Sequence, residues 1–155
     1  MDENEIKNII ESLIDTFLIA GDVSIQLRNE GLQKEIKSDN TPVSNGDLEV
    51  NKIITKKILK LTPDIPIVSE ETSHNKSKDD LKDFWLIDPI DGTYDYINNK
   101  EEFTLNAGLI LNRKAVAGLI NVPAKNRMFY SYGKNNSFEF TRNKKTKLDC
   151  KKLSP

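Results

Sequence analysis

The chain has 155 residues, of which 37% are hydrophobic and 30% are charged, and its 23 basic and 24 acidic side chains leave a net charge of −1. This composition is typical of one globular domain with a substantial core, and it provides no general field for attracting nucleic acid or an anionic membrane. The single cysteine, Cys150, and the single histidine, His74, exclude an internal disulfide, a multi-cysteine zinc site and any mechanism that needs several histidines.

The two ends of the chain and its hydropathy bear on its location and partners. Met1–Glu5 is acidic, whereas a signal peptide begins with basic residues. No apolar run approaches the length that spans a bilayer. Basic side chains gather between residues 142 and 152, but such a run is typical of a solvated tail or surface loop. We therefore predict a cytoplasmic protein with neither nucleic acid nor membrane as a partner.

Two amphipathic helices are predicted in the first part of the chain. Apolar residues recur at helical spacing from Ile6 to Leu18, which predicts one long helix over about residues 3–28. Ser44, followed three positions later by Asp47, has the spacing of a helix-capping box and opens a second helical pattern. Pro63 is expected to end that second helix.

The remaining elements are predicted to be strands. Ile65–Ser69 has the pattern of a short strand that runs into Glu70 and Glu71, and the apolar run Phe84–Ile87 that of a buried strand. Four more strands are predicted, the first two joined as a hairpin: Phe103–Leu111, Ala115–Val122, Arg127–Tyr132 and Ser137–Thr141. The order of elements indicates a single α+β domain over residues 1–155, with two N-terminal helices packed on a largely antiparallel sheet.

The segment Asp88–Thr93, which follows the buried strand Phe84–Ile87, is the most informative stretch. Pro89 favours an extended backbone at Asp88, and two carboxylates three positions apart on a turn can converge on one point. Like charges that close repel unless a cation lies between them, and carboxylate oxygens favour Mg²⁺. Gly92 would let the backbone approach a ligand, and the following amides could bind an anion if a helix starts there. An ordinary aspartate-rich turn is the alternative.

Acidic residues also stand at the ends of two other predicted elements. Asp47 is at the start of the second helix, and Glu70 and Glu71 follow the strand Ile65–Ser69. Each has a simpler explanation, Asp47 as a capping residue and the glutamates as solvated loop acids. Together with the aspartates of the turn, they would supply the clustered oxygen ligands that Mg²⁺ uses when it binds phosphate substrates. Both interpretations stay open at this point.

Several runs of residues resemble the signature of the inositol monophosphatase superfamily, whose members are Mg²⁺-dependent, lithium-sensitive phosphomonoesterases. The superfamily motif is matched by Trp85–Thr93 together with Ser69–Glu71. Three further runs are similar to the 3′(2′),5′-bisphosphate nucleotidase branch of that superfamily: Ser38–Ser44, Leu61–Glu71 and Glu102–Asn106. The similarity extends from the first helix to about Tyr132.

The resemblance implies a Mg²⁺ site. The side chains of Glu70, Asp88 and Asp91 match metal ligands of the family, and the backbone carbonyl of Ile90 matches a further one. Glu70 also belongs to the implied catalytic set. Lys37 lies near a family position that faces the substrate.

The resemblance also implies how water and phosphate are handled. Asp47 and Thr93 match the pair of residues that orients and deprotonates the attacking water. The backbone amides of Gly92 and Thr93 match the phosphate-binding turn. The implied chemistry needs no histidine or cysteine, which agrees with the composition.

The activity implied by the resemblance is that of a phosphoric monoester hydrolase. Its expected substrate is a small phosphorylated molecule, adenosine 3′,5′-bisphosphate, whose 3′-phosphate would be removed by metal-activated water. Two alternatives remain. The chain is an inositol or sugar monophosphatase, or it is a truncated, catalytically silent metal-binding domain.

Family members continue for a second half about as long again, which carries a Trp-Asp-x-Ala-Ala-Gly motif with a further metal ligand. No such motif follows Asp149. The chain therefore resembles the N-terminal catalytic half of the family, with the C-terminal domain absent. An exposed apolar sheet edge where that domain would pack is expected to favour a homo-oligomer or a complementing C-terminal half as a partner.

Overall fold

The computed structural model of the chain describes residues 1–71 and 80–149. The sequence also predicts a polar connection over Ser73–Lys82, and most of it lies outside these ranges. His74, Cys150 and the end of the basic run also lie outside the described residues, so the sequence-based predictions that concern them stay predictions.

The first helix, α1, covers Glu3–Glu30 and extends two residues beyond its predicted end. The Asp2 side chain accepts a hydrogen bond from the backbone N–H of Glu5, and the Glu5 side chain accepts one from the N–H of Asp2. This reciprocal capping box satisfies backbone donors that the helix itself cannot pair. The predicted apolar stripe faces the interior, and three of its residues are fully buried: Ile10, Leu13 and Phe17.

The second helix, α2, covers Asn45–Leu61 and confirms the predicted capping box between Ser44 and Asp47. Thr62 caps its C-terminus directly before Pro63, which cannot continue a helix. No helix in the described part of the chain combines the length and the apolar character that crossing a bilayer requires.

Within residues 1–71 and 80–149, seven strands form one sheet whose strand order follows the chain order. A separate two-stranded hairpin, β1 (Lys34–Ile36) and β2 (Pro42–Ser44), precedes α2. A short helix, α3 (Thr93–Ile97), follows the second strand of the large sheet. The strands of that sheet are β3 (Ile67–Ser69), β4 (Phe84–Asp91), β5 (Thr104–Leu111), β6 (Lys114–Val122), β7 (Arg127–Tyr132), β8 (Ser137–Thr141) and β9 (Lys144–Lys147).

The pairing of the strands confirms the predicted fold class. β3 pairs with β4 in parallel, and each later pair of neighbours is antiparallel. α2 packs on β4, while α1 packs on β6 and β7. The protein is therefore an α+β structure with its N-terminal helices on one face of a largely antiparallel sheet.

Three parts of the structure differ from the sequence-based expectation. β4 continues through Asp88 to Asp91, so the predicted turn is mostly the last part of a strand. The β4–β5 pairing is irregular between these aspartates, which accommodates Pro89 because a bulge interrupts the hydrogen-bond ladder. β9 forms from lysine-rich residues that were expected to be a solvated tail, since pairing with β8 needs backbone groups only. The β1–β2 hairpin was not predicted, because its three-residue strands are too short to show a hydrophobic period.

One face of the sheet is covered by helices and the other is open. Trp85, Leu105 and Leu119 point toward the helices and are almost completely buried. On the opposite face lies a groove of about 850 Å³, here called the open-face groove, and Leu86 and Ile120 are 39% and 44% exposed there. The exposed apolar surface is thus on a sheet face, whereas the edge strand β9 presents lysines.

Candidate active site

Asp47 is the structural centre of the candidate site. It occupies the third position of α2 and is fully buried. Its Oδ2 accepts hydrogen bonds from the backbone N–H of Ser44 at 2.9 Å and from the Ser44 hydroxyl at 2.5 Å. Its Oδ1 accepts a hydrogen bond from the Thr93 hydroxyl at 2.9 Å. The capping interpretation and the active-site interpretation of Asp47 are therefore compatible, because the two oxygens serve different partners.

Thr93 is the first residue of α3, and its hydroxyl stands between two acceptors. Besides Asp47, the backbone carbonyl oxygen of Ile90 lies 3.2 Å from Thr93 Oγ1. A threonine hydroxyl has one proton, and the shorter distance directs it toward Asp47. The contact brings together three of the predicted site residues, Asp47, Ile90 and Thr93, from two separate helices and a strand.

Gly92 makes the change from β4 to α3 possible. Its backbone is left-handed, with φ 86° and ψ 42°, a conformation that strains residues with a Cβ. A Cβ at this position would lie 2.8 Å from the carbonyl oxygen of Glu102. The close approach of these two backbone segments explains the glycine and places the Gly92 and Thr93 amides at the start of α3.

The two aspartates of β4 face the open-face groove. Asp88 lies directly opposite Asn106 of β5, and Asp91 lies opposite Thr104. All four residues line the groove. Asp88 Oδ1 is buried and has no hydrogen-bond partner among the described residues. A buried carboxylate oxygen without a donor is costly, which indicates that a cation or a water normally meets it.

Electrostatics at Asp88 agree with that indication. Burial, together with the negative charges of Glu70 and Asp91, raises the pKa of Asp88 to about 7. The backbone N–H of Glu70 donates to the carbonyl of Ile87 at 3.2 Å, so the parallel pairing of β3 and β4 continues to the position beside Asp88. The predicted metal ligands Glu70, Asp88 and Asp91 are thus close enough to repel one another.

Lys37 forms ion pairs with both glutamates that follow β3. Its Nζ lies 3.0 Å from Glu71 Oε1 and 3.8 Å from Glu70 Oε1. The Glu71 side chain is 6% exposed and the Glu70 side chain 54%. Burial acts to lower the pKa of Lys37, but the hydrogen bond from Lys37 to Glu71 and the negative charges of the neighbouring acids together raise that pKa above its ordinary value. Glu70, which matches a metal ligand of the family, therefore interacts with both Lys37 and Asp88.

The residues present fit a hard divalent cation by their chemistry. The donors are all oxygens, from Glu70, Asp88, Asp91 and the Ile90 carbonyl, which is the donor set that Mg²⁺ prefers. Among residues 1–71 and 80–149, however, no three Asp, Glu, His or Cys side chains stand ready-made around one point. Glu70 and Asp91 both act on Asp88 electrostatically, and the Glu70 carboxylate is also paired with Lys37. The metal-ligand assignment therefore stays a prediction.

Two contacts at the site were not predicted from the sequence. Glu71, one of the acids expected to contribute to a cluster of oxygen ligands, forms an ion pair with Lys37. Asn106 faces Asp88 across the β4–β5 pair, and its Oδ1 is likewise buried without a partner among the described residues. The available signal in the sequence was that Thr104 and Asn106 are polar residues two positions apart on a predicted strand, which places both on one face.

Comparison with known proteins identifies the family. The family model of the inositol monophosphatase family matches residues 5–154 of the chain. The 3′(2′),5′-bisphosphate nucleotidase CysQ of Haemophilus influenzae is 35% identical over 108 residues, which is 68% of this chain and 40% of that protein. The protein of the same name from Aggregatibacter actinomycetemcomitans is 32% identical over 126 residues, covering 80% of this chain and 47% of its own length. The chain thus spans less than half the length of these relatives.

A solved structure agrees with the fold. The extragenic suppressor protein suhB from Bartonella henselae superposes with a TM-score of 0.74 at 23% identity, covering 89% of this chain and 53% of that one. At this identity the likeness supports the fold alone, and it includes the helices and the antiparallel sheet that carry the candidate site. Because the family model matches nearly the whole length of this chain, the chain belongs to the inositol monophosphatase family.

Proposed function

We propose that this chain supplies the catalytic half of a divalent-metal-dependent phosphomonoesterase that removes the 3′-phosphate of adenosine 3′,5′-bisphosphate. The observation that carries the proposal is the hydrogen bond between Thr93 and Asp47. Thr93 also contacts the Ile90 carbonyl and follows Asp91 by two positions in the chain. The choice of substrate is supported by the relatives named 3′(2′),5′-bisphosphate nucleotidase. Residues 1–155 are proposed to form one domain that corresponds to the N-terminal half of such a protein.

The proposed roles of the residues follow from their contacts. Because the Thr93 proton is directed at Asp47, the lone pairs of Thr93 Oγ1 are available to accept a hydrogen bond from an attacking water. Thr93 would orient that water and pass its proton to the buried carboxylate of Asp47. Ser44 fixes the Asp47 carboxylate through two hydrogen bonds, so the acceptor oxygen does not rotate away.

The phosphate would be held by the backbone and by a cation. The amides of Gly92 and Thr93 are proposed to bind phosphate oxygens where β4 turns into α3. Glu70, Asp88, Asp91 and the carbonyl of Ile90 would hold Mg²⁺. A solved IMPase/NADP phosphatase, 20% identical to this chain, is complexed with Mg²⁺ and phosphate. When bound, the metal supplies charge neutralisation of the phosphate and lowers the pKa of a coordinated water.

The test is phosphate release from adenosine 3′,5′-bisphosphate by the purified chain, with Mg²⁺ and with a chelator. We expect release that depends on Mg²⁺, is inhibited by Li⁺ and is lost in Asp91→Ala. Asp64→Ala is the matched control, because Asp64 is an exposed aspartate outside the site. Activity in Asp91→Ala equal to that of the wild type would overturn the proposal.

Two alternatives have distinct outcomes in the same assay. Faster release from inositol 1-phosphate than from the nucleotide would assign the chain to the inositol or sugar monophosphatases. Metal binding without release from any substrate would support a catalytically silent metal-binding domain.

A second polypeptide is a proposed partner. The open-face groove exposes Leu86 and Ile120, and either a second copy of the chain or the remaining half of the relatives would cover it. Light scattering on the purified chain distinguishes a monomer from a homo-oligomer. Restoration of activity by a separately expressed C-terminal half of a relative would identify the complementing partner.

A further inference from the structure

Asn106 has no role in the proposed function, yet it faces the same groove as the predicted metal ligands. It lies on β5 directly opposite Asp88 of β4, so the two side chains project from the same face of the sheet. The side-chain oxygens Asp88 Oδ1 and Asn106 Oδ1 are both buried, and neither has a hydrogen-bond partner among the described residues.

Two buried acceptor oxygens on a directly opposed pair make an unfavourable arrangement. Neither oxygen has a hydrogen-bond donor, so burial removes the hydrogen bonds that water would make to it and costs free energy. A positive ion, or water held by such an ion, satisfies both oxygens at once.

The neighbours of Asn106 on the groove side of the sheet are apolar or lack a side chain. On β6 it lies opposite Ile120, and the next residue on the same face of β5 is Gly108. Most of the groove wall beyond this point is apolar, with Leu86 beside Asp88 on β4. An apolar side chain at position 106 would pack against this wall without leaving a buried oxygen unpaired.

We propose that Asn106 is a positioning residue of the divalent-cation site. Its Oδ1 would face the hydrated ion beside Asp88 and accept hydrogen bonds from the waters of that ion. The inference rests on the proposed function only in taking Asp88 to be a metal ligand. It adds to the site a neutral oxygen from β5, a strand that carries none of the ligands matched from the family motif. Mg²⁺ keeps several of its waters when proteins bind it, and uncharged oxygens commonly orient them.

The test measures metal binding rather than turnover. Mn²⁺ binding to the full chain is followed by electron paramagnetic resonance, and thermal unfolding is followed in a chelator without metal. The variants are Asn106→Leu, which removes the oxygen at similar volume, and Asn106→Asp, which keeps an acceptor oxygen. Ser131→Ala is the matched control, because Ser131 lines the same groove on β7, two strands from Asn106. Asp91→Ala reports on the metal site of the proposed function.

The expected results separate a role in the site from a role in the fold. Asn106→Leu should weaken Mn²⁺ binding by about tenfold or more, while its metal-free melting temperature stays equal or rises because a buried unpaired oxygen is gone. Asn106→Asp should bind Mn²⁺ at least as well as the wild type, and Ser131→Ala should bind it equally.

Three results would overturn the inference. Unchanged Mn²⁺ affinity in Asn106→Leu, with Asp91→Ala impaired, would remove Asn106 from the site while leaving the proposed function intact. Equal weakening in Asn106→Leu and Asn106→Asp would show that the amide donates through Nδ2 instead of accepting, since the two amide atoms exchange by rotation. A chain that binds no Mn²⁺ at all would overturn both the inference and the proposed function.

Discussion

The Thr93 hydroxyl donates to Asp47 Oδ1 at 2.9 Å and thereby joins the first residue of α3 to the first turn of α2. The two residues are 46 positions apart in the chain. The other oxygen of the same buried carboxylate accepts two hydrogen bonds from Ser44. One side chain thus caps a helix and orients a candidate catalytic hydroxyl, and substitutions can separate these roles.

Asp47→Asn is expected to lower kcat by about 100-fold or more, because a carboxamide cannot accept the proton that a general base takes up. Its oxygen can still accept from Ser44, so the free energy of unfolding should fall by about 1 kcal/mol or less. Phosphate release and urea unfolding measure the two effects on the same sample.

Ser44→Ala is the control for Asp47→Asn. It removes the capping hydroxyl and should cost about 1 kcal/mol in the free energy of unfolding. The Ser44 backbone N–H still donates to Asp47 Oδ2 and the Thr93–Asp47 contact remains, so the activity should fall less than in Asp47→Asn. Equal losses of activity in the two variants would mean that orientation of Asp47 by the Ser44 hydroxyl matters as much as the carboxylate itself.

Thr93→Val removes the hydroxyl while keeping the shape and branching of the side chain. We expect kcat to fall by about 100-fold, because neither the attacking water nor Asp47 would have the hydroxyl as a partner. Thr93→Ser restores a hydroxyl at the same position and should recover most of the rate. Equal rates for the valine and serine variants would contradict a role for the hydroxyl, and circular dichroism checks that both variants are folded.

Gly92→Ala should destabilise the protein by at least about 1–2 kcal/mol, the cost of a left-handed residue with a Cβ. The contact of that Cβ with the Glu102 carbonyl, 2.8 Å away, adds to this cost. Gly108→Ala is the control, since the nearest atom to its added Cβ is 3.8 Å away on the Ile110 side chain. Urea unfolding of both variants makes the comparison, and equal destabilisation would mean that the turn tolerates a side chain.

Lys37→Met tests whether the lysine competes with a metal ion for Glu70. Removing one positive charge 3.8 Å from Glu70 Oε1 should tighten Mn²⁺ binding, by about fivefold if the partly exposed pair contributes about 1 kcal/mol. The metal-free protein should become less stable, because Glu71 loses its partner at 3.0 Å. Calorimetric titration with Mn²⁺ measures the affinity.

Lys34→Met is the matched control for Lys37→Met, because Lys34 is an exposed lysine on β1 of the same hairpin. It should leave the Mn²⁺ affinity unchanged. A similar gain in affinity in both variants would indicate a general effect of net charge, and weaker binding in Lys37→Met would indicate that the lysine supports the metal site.

The elements that the sequence predicted well are those with a strong local signal. The capping box at Ser44 and Asp47 is confirmed, because both halves of it lie within four residues. β7 and β8 have the predicted bounds. β7 alternates between buried and more exposed positions along its length. β9 and the extension of β4 through Pro89 escaped prediction, because neither depends on a hydrophobic period.

The sequence by itself determined the α+β class, the placement of acids at the ends of elements and the family motif from Trp85 to Thr93. These are properties of neighbouring residues, so local spacing suffices to reveal them. Only the tertiary structure decided that Thr93 meets Asp47, that Lys37 faces Glu71 and that Asn106 lies opposite Asp88. Each of these contacts depends on strand register or on how elements that are distant in the chain pack together. Such long-range geometry is fixed by the packing of the whole core and leaves no periodic signal in the chain.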